Sequence, residues 1–246
     1  MCYHTKQTKT VSQLEQRYDV TREKDRFEIE DSQFRYYHAN GYAHPELLII
    51  PQEEPSILHP ALWGIMPSNI KGNEHNEYYK KAVKFGGGLN AQSEKLFEHF
   101  IYKYAAFERR CIIPLDGFYE PHTAPNKLKI PFHFKRKDDE SFAVAGIYNM
   151  SPDGIVSMTI LTKSASPLFA KIHNTKFRQP VLLRREIEKD WLNDNLTEHT
   201  MKELINMDYP ENELDAYPVS RDLFSPKIDS NSPEIAKKKT YANLDF

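Results

Sequence analysis

Cys2, the second residue of the chain, has the side chain with the most distinctive possible chemistry. Initiator methionine is normally trimmed before a residue as small as cysteine, which would leave Cys2 with a free α-amine beside its thiol. A free α-amine has a pKa of about 7.7–8.0, so a useful fraction is neutral near physiological pH. Amine and thiol on adjacent carbons can capture an aldehyde, first as an imine and then as a five-membered thiazolidine. Position alone leaves open that Cys2 is an incidental residue on a frayed terminus.

Glu120 and His173 are candidates for proton transfer. Glu120 follows Gly-Phe-Tyr at the end of a predicted strand, where flanking aromatic rings can raise a carboxyl pKa. His173 lies in the loop segment KIHNTKFRQP with Lys176 and Arg178, a setting that suits acid–base chemistry beside a phosphate group. Composition alone leaves the alternatives open, namely a surface carboxylate and a structural histidine.

Asn90 follows a Gly-Gly-Gly run and can be a helix cap, or a hydrogen-bonding group at a helix start that attracts anions. The glycines are not a phosphate loop, because no Gly-Lys-Ser/Thr follows them. No His, Cys or Asp cluster has metal-ligand spacing. Cys111, within CIIP, is predicted to be a buried small hydrophobe and an unsuitable thiolate for a hydrolytic dyad with His173.

The elements that must position these residues are mostly strands between positions 110 and 180. Alternating or continuous apolar runs, separated by turn residues, predict the strands Cys111–Tyr119, Pro131–Arg136, Phe142–Asn149, Ile155–Thr162 and Pro180–Leu183, preceded by Glu46–Pro51. Interleaved strands and a few helices predict an α+β single domain with a curved antiparallel sheet or barrel-like core flanked by helices.

Helices are predicted at four places. Val11, Leu14 and Tyr18 have helical spacing, and an amphipathic helix is expected to start at Asn90 or Ala91. Two more are expected at Glu186–Asp194 and Thr197–Met207. We expect the domain to span residues 1–235, with a loose C-terminal tail over residues 236–246.

The composition excludes several classes of protein. The 246 residues include 33 basic and 35 acidic side chains, so the chain is not a whole-surface polyanion binder, although a local basic groove remains possible. No apolar run is long enough to span a bilayer and no signal peptide is present, so we expect a cytoplasmic protein without membrane contact. Two widely spaced cysteines fit a reducing compartment.

The order of several motifs resembles the SRAP family, the SOS response-associated peptidases that process abasic sites in DNA. Met1-Cys2 begins the match, and the blocks that continue it in family order are Leu62–Pro67, Leu89–Glu94, Arg109–Glu120, Ala145–Asn149, Leu161–Ala165 and Ile172–Pro180.

The resemblance implies a fold, a reaction and a partner. The fold would be one α+β domain around a β-barrel-like core, with a positively charged cleft for single-stranded or junction DNA. An exposed Cys2 would form a thiazolidine with the ring-opened deoxyribose of an abasic site, with no metal or organic cofactor. Asn90 would position Cys2, Glu120 would handle protons at the amine and sugar oxygen, and His173 would assist ring opening and reversal.

The resemblance also implies a set of DNA-binding residues, some of which differ from the family pattern. The residues in this set are His4, Trp63, Pro67, Gln92, Ser93, Lys176 and Arg178. Gln92 stands where the family often has an arginine, and Tyr3-His4 replaces a common Gly-Arg, so two phosphate contacts differ from the family pattern. We therefore expect a monomer that binds single-stranded or junction DNA containing abasic sites, with its geometry left open by the sequence.

Two other functions stay open at this point. The protein can be a thiol peptidase acting on a protein, including its own first residue. It can also be a nucleic-acid-binding module without chemistry, whose affinity would not depend on an abasic site.

Overall fold

The structure is a computed structural model and describes residues 2–22, 30, 32–242 and 244. Its strands are β1 His4–Gln7, β2 Tyr36–Asn40, β3 Glu46–Pro51, β4 His59–Trp63, β5 Asn90–Gln92, β6 Arg110–Leu115, β7 Gly117–Thr123, β8 Lys129–Arg136, β9 Phe142–Met150, β10 Val156–Ser164, β11 Arg178–Pro180, β12 Leu182–Leu183 and β13 Leu214–Pro218. Its α-helices are α1 Val11–Tyr18, α2 His75–Ala82, α3 Tyr102–Glu108, α4 Pro167–Ile172, α5 Glu188–Trp191 and α6 Glu198–Asn206.

A closed barrel lies at the centre of the fold. Strands β10, β4, β3, β6 and β9 pair in that order, and β9 pairs back onto β10 to close the ring. Every residue of β6 and nearly all of β9 and β10 are buried, as expected for strands covered on both faces. The predicted α+β domain with a barrel-like core is confirmed.

A second sheet packs against the barrel and carries part of the candidate site. Its strand order is β13, β8, β7, β1 and β2. Phe118 and Phe134 from this sheet stack with Phe169 of α4, and their core also contains Ile113 from the barrel. Ile112, the preceding residue, points to the opposite face and packs in the core shared with the helices. The barrel strands therefore join the sheet to the helices.

The helix predicted from Asn90 is wrong over its first part. Asn90–Gln92 form strand β5, which pairs in parallel with β10 at Ile160, and a 3-10 turn follows at Ser93–Lys95. Helix α3 begins only at Tyr102. Pairing with a buried central strand thus overrides the helical spacing of the apolar residues that follow.

The long strand predicted over Cys111–Tyr119 is interrupted. Asp116 separates β6 from β7, and its carboxylate accepts hydrogen bonds from Lys6 Nζ and from Thr8 N and Oγ1. Burial opposes ionisation of Asp116, but Lys6 and the Thr8 hydrogen bonds prevail, so the pKa of Asp116 is lowered. This contact fixes the end of β1 against the start of β7.

The other three predicted helices agree with their sequence patterns. Thr10 caps α1 through a reciprocal hydrogen-bond pair with Gln13, and Thr197 caps α6. The segment predicted as Glu186–Asp194 is a 3-10 turn followed by α5. In the predicted tail, Lys239 N donates to Pro218 O. No helix of the described residues is long and apolar enough to cross a membrane.

Candidate functional site

Cys2 is held by the first strand of the second sheet. Strand β1 lies between β2 and β7, and the Gly41 amide donates to Tyr3 O over 2.9 Å, which ties the residue after Cys2 to the β2 loop. Cys2 is 0% exposed, and its Sγ lies 3.8 Å from His4 O. The exposed cysteine that the resemblance implies is therefore wrong for the described structure, because the thiol packs among core residues. Burial, reinforced by the negative charge of Glu120, raises the pKa of the Cys2 thiol well above its usual value.

Glu120 is brought next to the Cys2 segment by the register of β1 and β7. His4 pairs with Tyr119, so the chain before His4 runs beside Glu120. Glu120 is 0% exposed, and burial raises its pKa from 4.5 to about 7. A carboxyl group with that pKa can both accept and release a proton at neutral pH, as general acid–base catalysis requires.

His173 lies at the C-terminal end of α4 and faces Glu120. Its Nδ1 is 3.3 Å from Glu120 Oε2 and 3.0 Å from Arg178 O. A backbone carbonyl only accepts, so Nδ1 carries the hydrogen and Nε2 keeps its lone pair in the neutral ring. Burial lowers the pKa of His173 to about 4, so the ring is neutral at pH 7.

Asn174 fixes the distance between these two groups, and the sequence patterns did not single it out. Its Oδ1 accepts from Thr123 N over 2.9 Å, and its Nδ2 donates to Thr123 O over 3.0 Å. Thr123 ends β7, the strand of Glu120, so this paired contact joins the histidine loop to the glutamate strand. An asparagine directly after His173 is too common a pattern to indicate such a role.

Asn90 enters the same region from the barrel side. Both polar atoms of its side chain are buried and have no hydrogen-bond partner among the described residues. The preceding residue, Leu89, lies close to Tyr3, the residue after Cys2. Both pack against Gly41, since a Cβ added to Gly41 would be 3.2 Å from Leu89 Cδ1 and 3.2 Å from Tyr3 O. Buried polar groups are nearly always satisfied, so an unpaired amide here is typical of a binding site.

Trp63 is buried and contacts the backbone that precedes Asn90. It is 0% exposed, and its indole Nε1 donates to Leu89 O over 2.9 Å. The prediction that Trp63 lines a DNA channel therefore disagrees with the structure, because a fully buried ring has no face for a ligand. Its hydrogen bond instead holds the backbone that leads into Asn90.

The other residues predicted to contact DNA differ in their positions and in their present partners. Arg178 donates to both carboxylate oxygens of Glu94, over 2.6 and 2.9 Å, so this guanidinium is already paired in the structure. Gln92 ends β5 and Ser93 starts the turn after it, both half-buried. Pro67 is half-buried after β4, and the structure does not place it on the cavity described next.

A cavity of about 940 Å³ opens beside the three chemical groups and is strongly basic. Three residues that the sequence analysis selected line it, namely His4, His173 and Lys176. Three further cations also line it, and the sequence analysis did not select them. Those three are Lys127, Lys129 and Arg221. Among the described lining residues the only acidic side chain is that of Asp222. The cations come from the β7–β8 hairpin, the histidine loop and the segment after β13, which only the fold brings together.

The site thus combines a buried thiol, a carboxyl group that titrates near neutrality, a neutral imidazole and a basic cavity. Such a set can bind an anionic ligand and transfer protons to and from a carbonyl or an amine. Cys111 takes no part in it. That thiol is fully buried on β6, and burial raises its pKa.

Comparisons with known proteins agree with this description. The model of the family "SOS response associated peptidase (SRAP)" matches residues 1–226. Abasic site processing protein YoqW of Bacillus subtilis is 34% identical over 193 residues, covering 77% of this chain and 80% of that protein. Abasic site processing protein YobE of the same species is 32% identical, covering 74% and 80%. A crystal structure of a Bacteroides thetaiotaomicron protein has a TM-score of 0.81 at 26% identity, covering 97% of this chain and 100% of that one.

Proposed function

Since the chain belongs to the SOS response-associated peptidase family, we propose that it processes abasic sites in DNA by forming a covalent crosslink through Cys2. The names of its relatives support the substrate. The observation that carries the proposal is the cluster of Cys2, Glu120 and His173 beside a basic cavity. An abasic site offers an aldehyde in its ring-opened form, and the phosphates of the strand match the cations.

The proposed reaction requires no oxidant and no cofactor. After Met1 is removed, the α-amine of Cys2 adds to C1′ of the ring-opened deoxyribose, and loss of water gives an imine. Sγ then bonds to the same carbon while the thiol proton passes, through a base, to the nitrogen. The sum of the steps is aldehyde plus aminothiol giving thiazolidine plus water, and the DNA strand stays intact.

Glu120 suits the role of proton carrier in both steps. Burial holds its pKa at about 7, so it can protonate the departing hydroxyl and then accept the proton of the poorly acidic Cys2 thiol. His173 is neutral, and its Nε2 lone pair can accept a proton from the sugar hydroxyl during ring opening. Asn90 has two unpaired polar atoms that can hold the sugar or the amine.

We propose single-stranded DNA as the form that binds, with the protein acting as a monomer. A single strand exposes both its backbone and the abasic sugar, and the cavity presents cations from three separate segments to that backbone. Lys176 and His4 remain the proposed DNA contacts among the residues chosen from the sequence, together with Gln92 and Ser93 at the Asn90 strand. Trp63 is left out because it is buried.

The test is mass spectrometry of the protein after incubation with an abasic single-stranded oligonucleotide. We expect an adduct whose mass equals protein without Met1 plus DNA minus one water. Cys2→Ser and Cys2→Ala should form no stable adduct, whereas the matched control Cys111→Ala should crosslink like the wild type because Cys111 lies in the barrel. A stable adduct on Cys2→Ala, or none on processed wild type, would refute the proposal.

Two further readouts separate the other possible functions. Retention of Met1 in Glu120→Gln, seen by intact mass, would indicate self-processing and a peptidase activity of the same site. Salt-sensitive binding that is equal for intact and abasic strands, with no adduct, would indicate a binding module instead.

A further inference from the structure

The ring of Tyr42 is presented to solvent beside the nucleophile. Tyr42 is 51% exposed, and its ring stacks on that of Tyr3, with centroids 5.1 Å apart and planes inclined by 28°. Tyr3 follows Cys2 directly in the chain. The aromatic pair is therefore attached to the chain directly after Cys2, the proposed nucleophile.

The turn that carries Tyr42 is held in place by hydrogen bonds at its start. Tyr42 lies in the 3-10 turn Gly41–Ala43, where Tyr42 N donates to Asn40 Oδ1 over 3.1 Å. The Gly41 amide is bonded to Tyr3 O, so the two stacked tyrosines are also joined through the backbone. A ring held in place before binding loses little conformational freedom when a ligand stacks on it.

Tyr42 also lies between two cavities. It lines the basic cavity of about 940 Å³ and a second cavity of about 520 Å³ that contains Tyr36, His38 and Ile228. Tyr42 thus borders both cavities. An exposed aromatic ring at the border of a basic cavity is the combination that binds single-stranded nucleic acids, with phosphates on the cations and bases on the ring.

We infer that Tyr42, supported by Tyr3, is the stacking surface for the nucleobase next to the abasic sugar. The ligand class is a nucleobase of single-stranded DNA, without preference for one base, because every base has a π-face. This inference rests on the proposed function, since it assigns the neighbour of the sugar that Cys2 captures.

The test uses an oligonucleotide with a tetrahydrofuran abasic analogue, which has no aldehyde and cannot crosslink. A 2-aminopurine placed directly beside the analogue loses fluorescence when it stacks on an aromatic ring. We expect wild-type protein to quench a neighbouring 2-aminopurine and not one far along the strand. Tyr42→Leu should lose the quenching and bind about 10-fold more weakly, whereas Tyr42→Phe and Tyr42→Trp should retain both.

Phe85→Leu is the matched control, because Phe85 is 90% exposed but lines neither cavity. Its quenching should equal that of the wild type. Unchanged quenching and affinity in Tyr42→Leu would overturn the inference. It would also be overturned if the Tyr42→Leu protein quenched 2-aminopurine and the Tyr42→Trp protein did not. Wild-type protein that crosslinks abasic DNA without quenching would refute the stacking alone. Quenching without any crosslink would refute the proposed chemistry and leave the stacking supported.

Discussion

Replacement of Glu120 by glutamine is expected to stabilise the fold at alkaline pH while removing the proposed proton carrier. Burial raises the pKa of Glu120 from 4.5 to about 7, so the folded state binds the proton more tightly than the unfolded state. Stability therefore falls as the pH rises from the unfolded pKa to the folded one, and changes no further above it. At about 1.4 kcal/mol per pKa unit, the full loss has an upper limit of about 3–4 kcal/mol.

Glutamine has nearly the same shape as a protonated glutamate and does not titrate. We therefore expect Glu120→Gln to match the wild type near pH 4 and to exceed its free energy of unfolding by about 1–3 kcal/mol near pH 8. Urea unfolding over this pH range measures the difference. The N-terminus of each protein must be verified by intact mass, because the positive charge of the terminal amine lowers the pKa of Glu120.

The matched control is Glu98→Gln, at an exposed carboxylate on the segment before α3. Its unfolding curves should follow the wild type at every pH. If Glu120→Gln and the wild type show parallel pH dependence, burial does not strain the carboxylate and the assigned pKa is wrong. A variant that is less stable near pH 8 would indicate that the ionised carboxylate is stabilised by its neighbours.

Three further substitutions test the supports of the site. Gly117→Ala should destabilise the fold by about 1–3 kcal/mol in thermal unfolding, because a Cβ there would lie 2.3 Å from the buried ring nitrogen Nε2 of His133. Asp116→Asn should lower the free energy of unfolding by about 2 kcal/mol at neutral pH. This difference should shrink in acid. Because the pKa of Asp116 is lowered in the folded state, its ionised carboxylate stabilises the fold at neutral pH, and this stabilisation is lost as the carboxylate is protonated. Trp63→Phe removes the indole hydrogen bond to Leu89 O and should slow crosslinking at unchanged DNA affinity; loss of affinity at an unchanged rate would instead return Trp63 to the DNA-binding residues.

The regular parts of the fold could be predicted because local pattern and tertiary environment agree there. The apolar run of β3 and the buried strands β8 to β10 were predicted with boundaries within two residues, and their turns contain the expected residues. The spacing of the apolar residues also predicted α1, and α6 lies within the segment Thr197–Met207 that was expected to be helical. The closure of the barrel was only a general expectation, because the pairing of β9 with both β6 and β10 is not encoded in either strand alone.

The parts that failed depend on contacts between distant segments. Asn90 was predicted to start a helix, but it pairs with Ile160 of the central strand, some 70 residues later. Trp63 was assigned to DNA from its place in a motif, while the structure uses its ring to hold Leu89. Two lysines of one hairpin and Arg221 meet at the cavity only because β8 pairs with β13, so no local pattern could have selected them.

The charge balance of the chain fits covalent capture better than tight electrostatic binding. The formal net charge is −2, so the protein as a whole does not attract DNA, and the attraction comes from the lining cations Lys127, Lys129, Lys176 and Arg221. Four phosphate contacts on a single strand give a log–log salt slope of only about −3, which implies a weak complex at physiological salt. A weak complex scans intact DNA without remaining on it. The proposed thiazolidine would then supply the selectivity, because only an abasic sugar has the aldehyde that holds the protein in place once the electrostatic contacts dissociate.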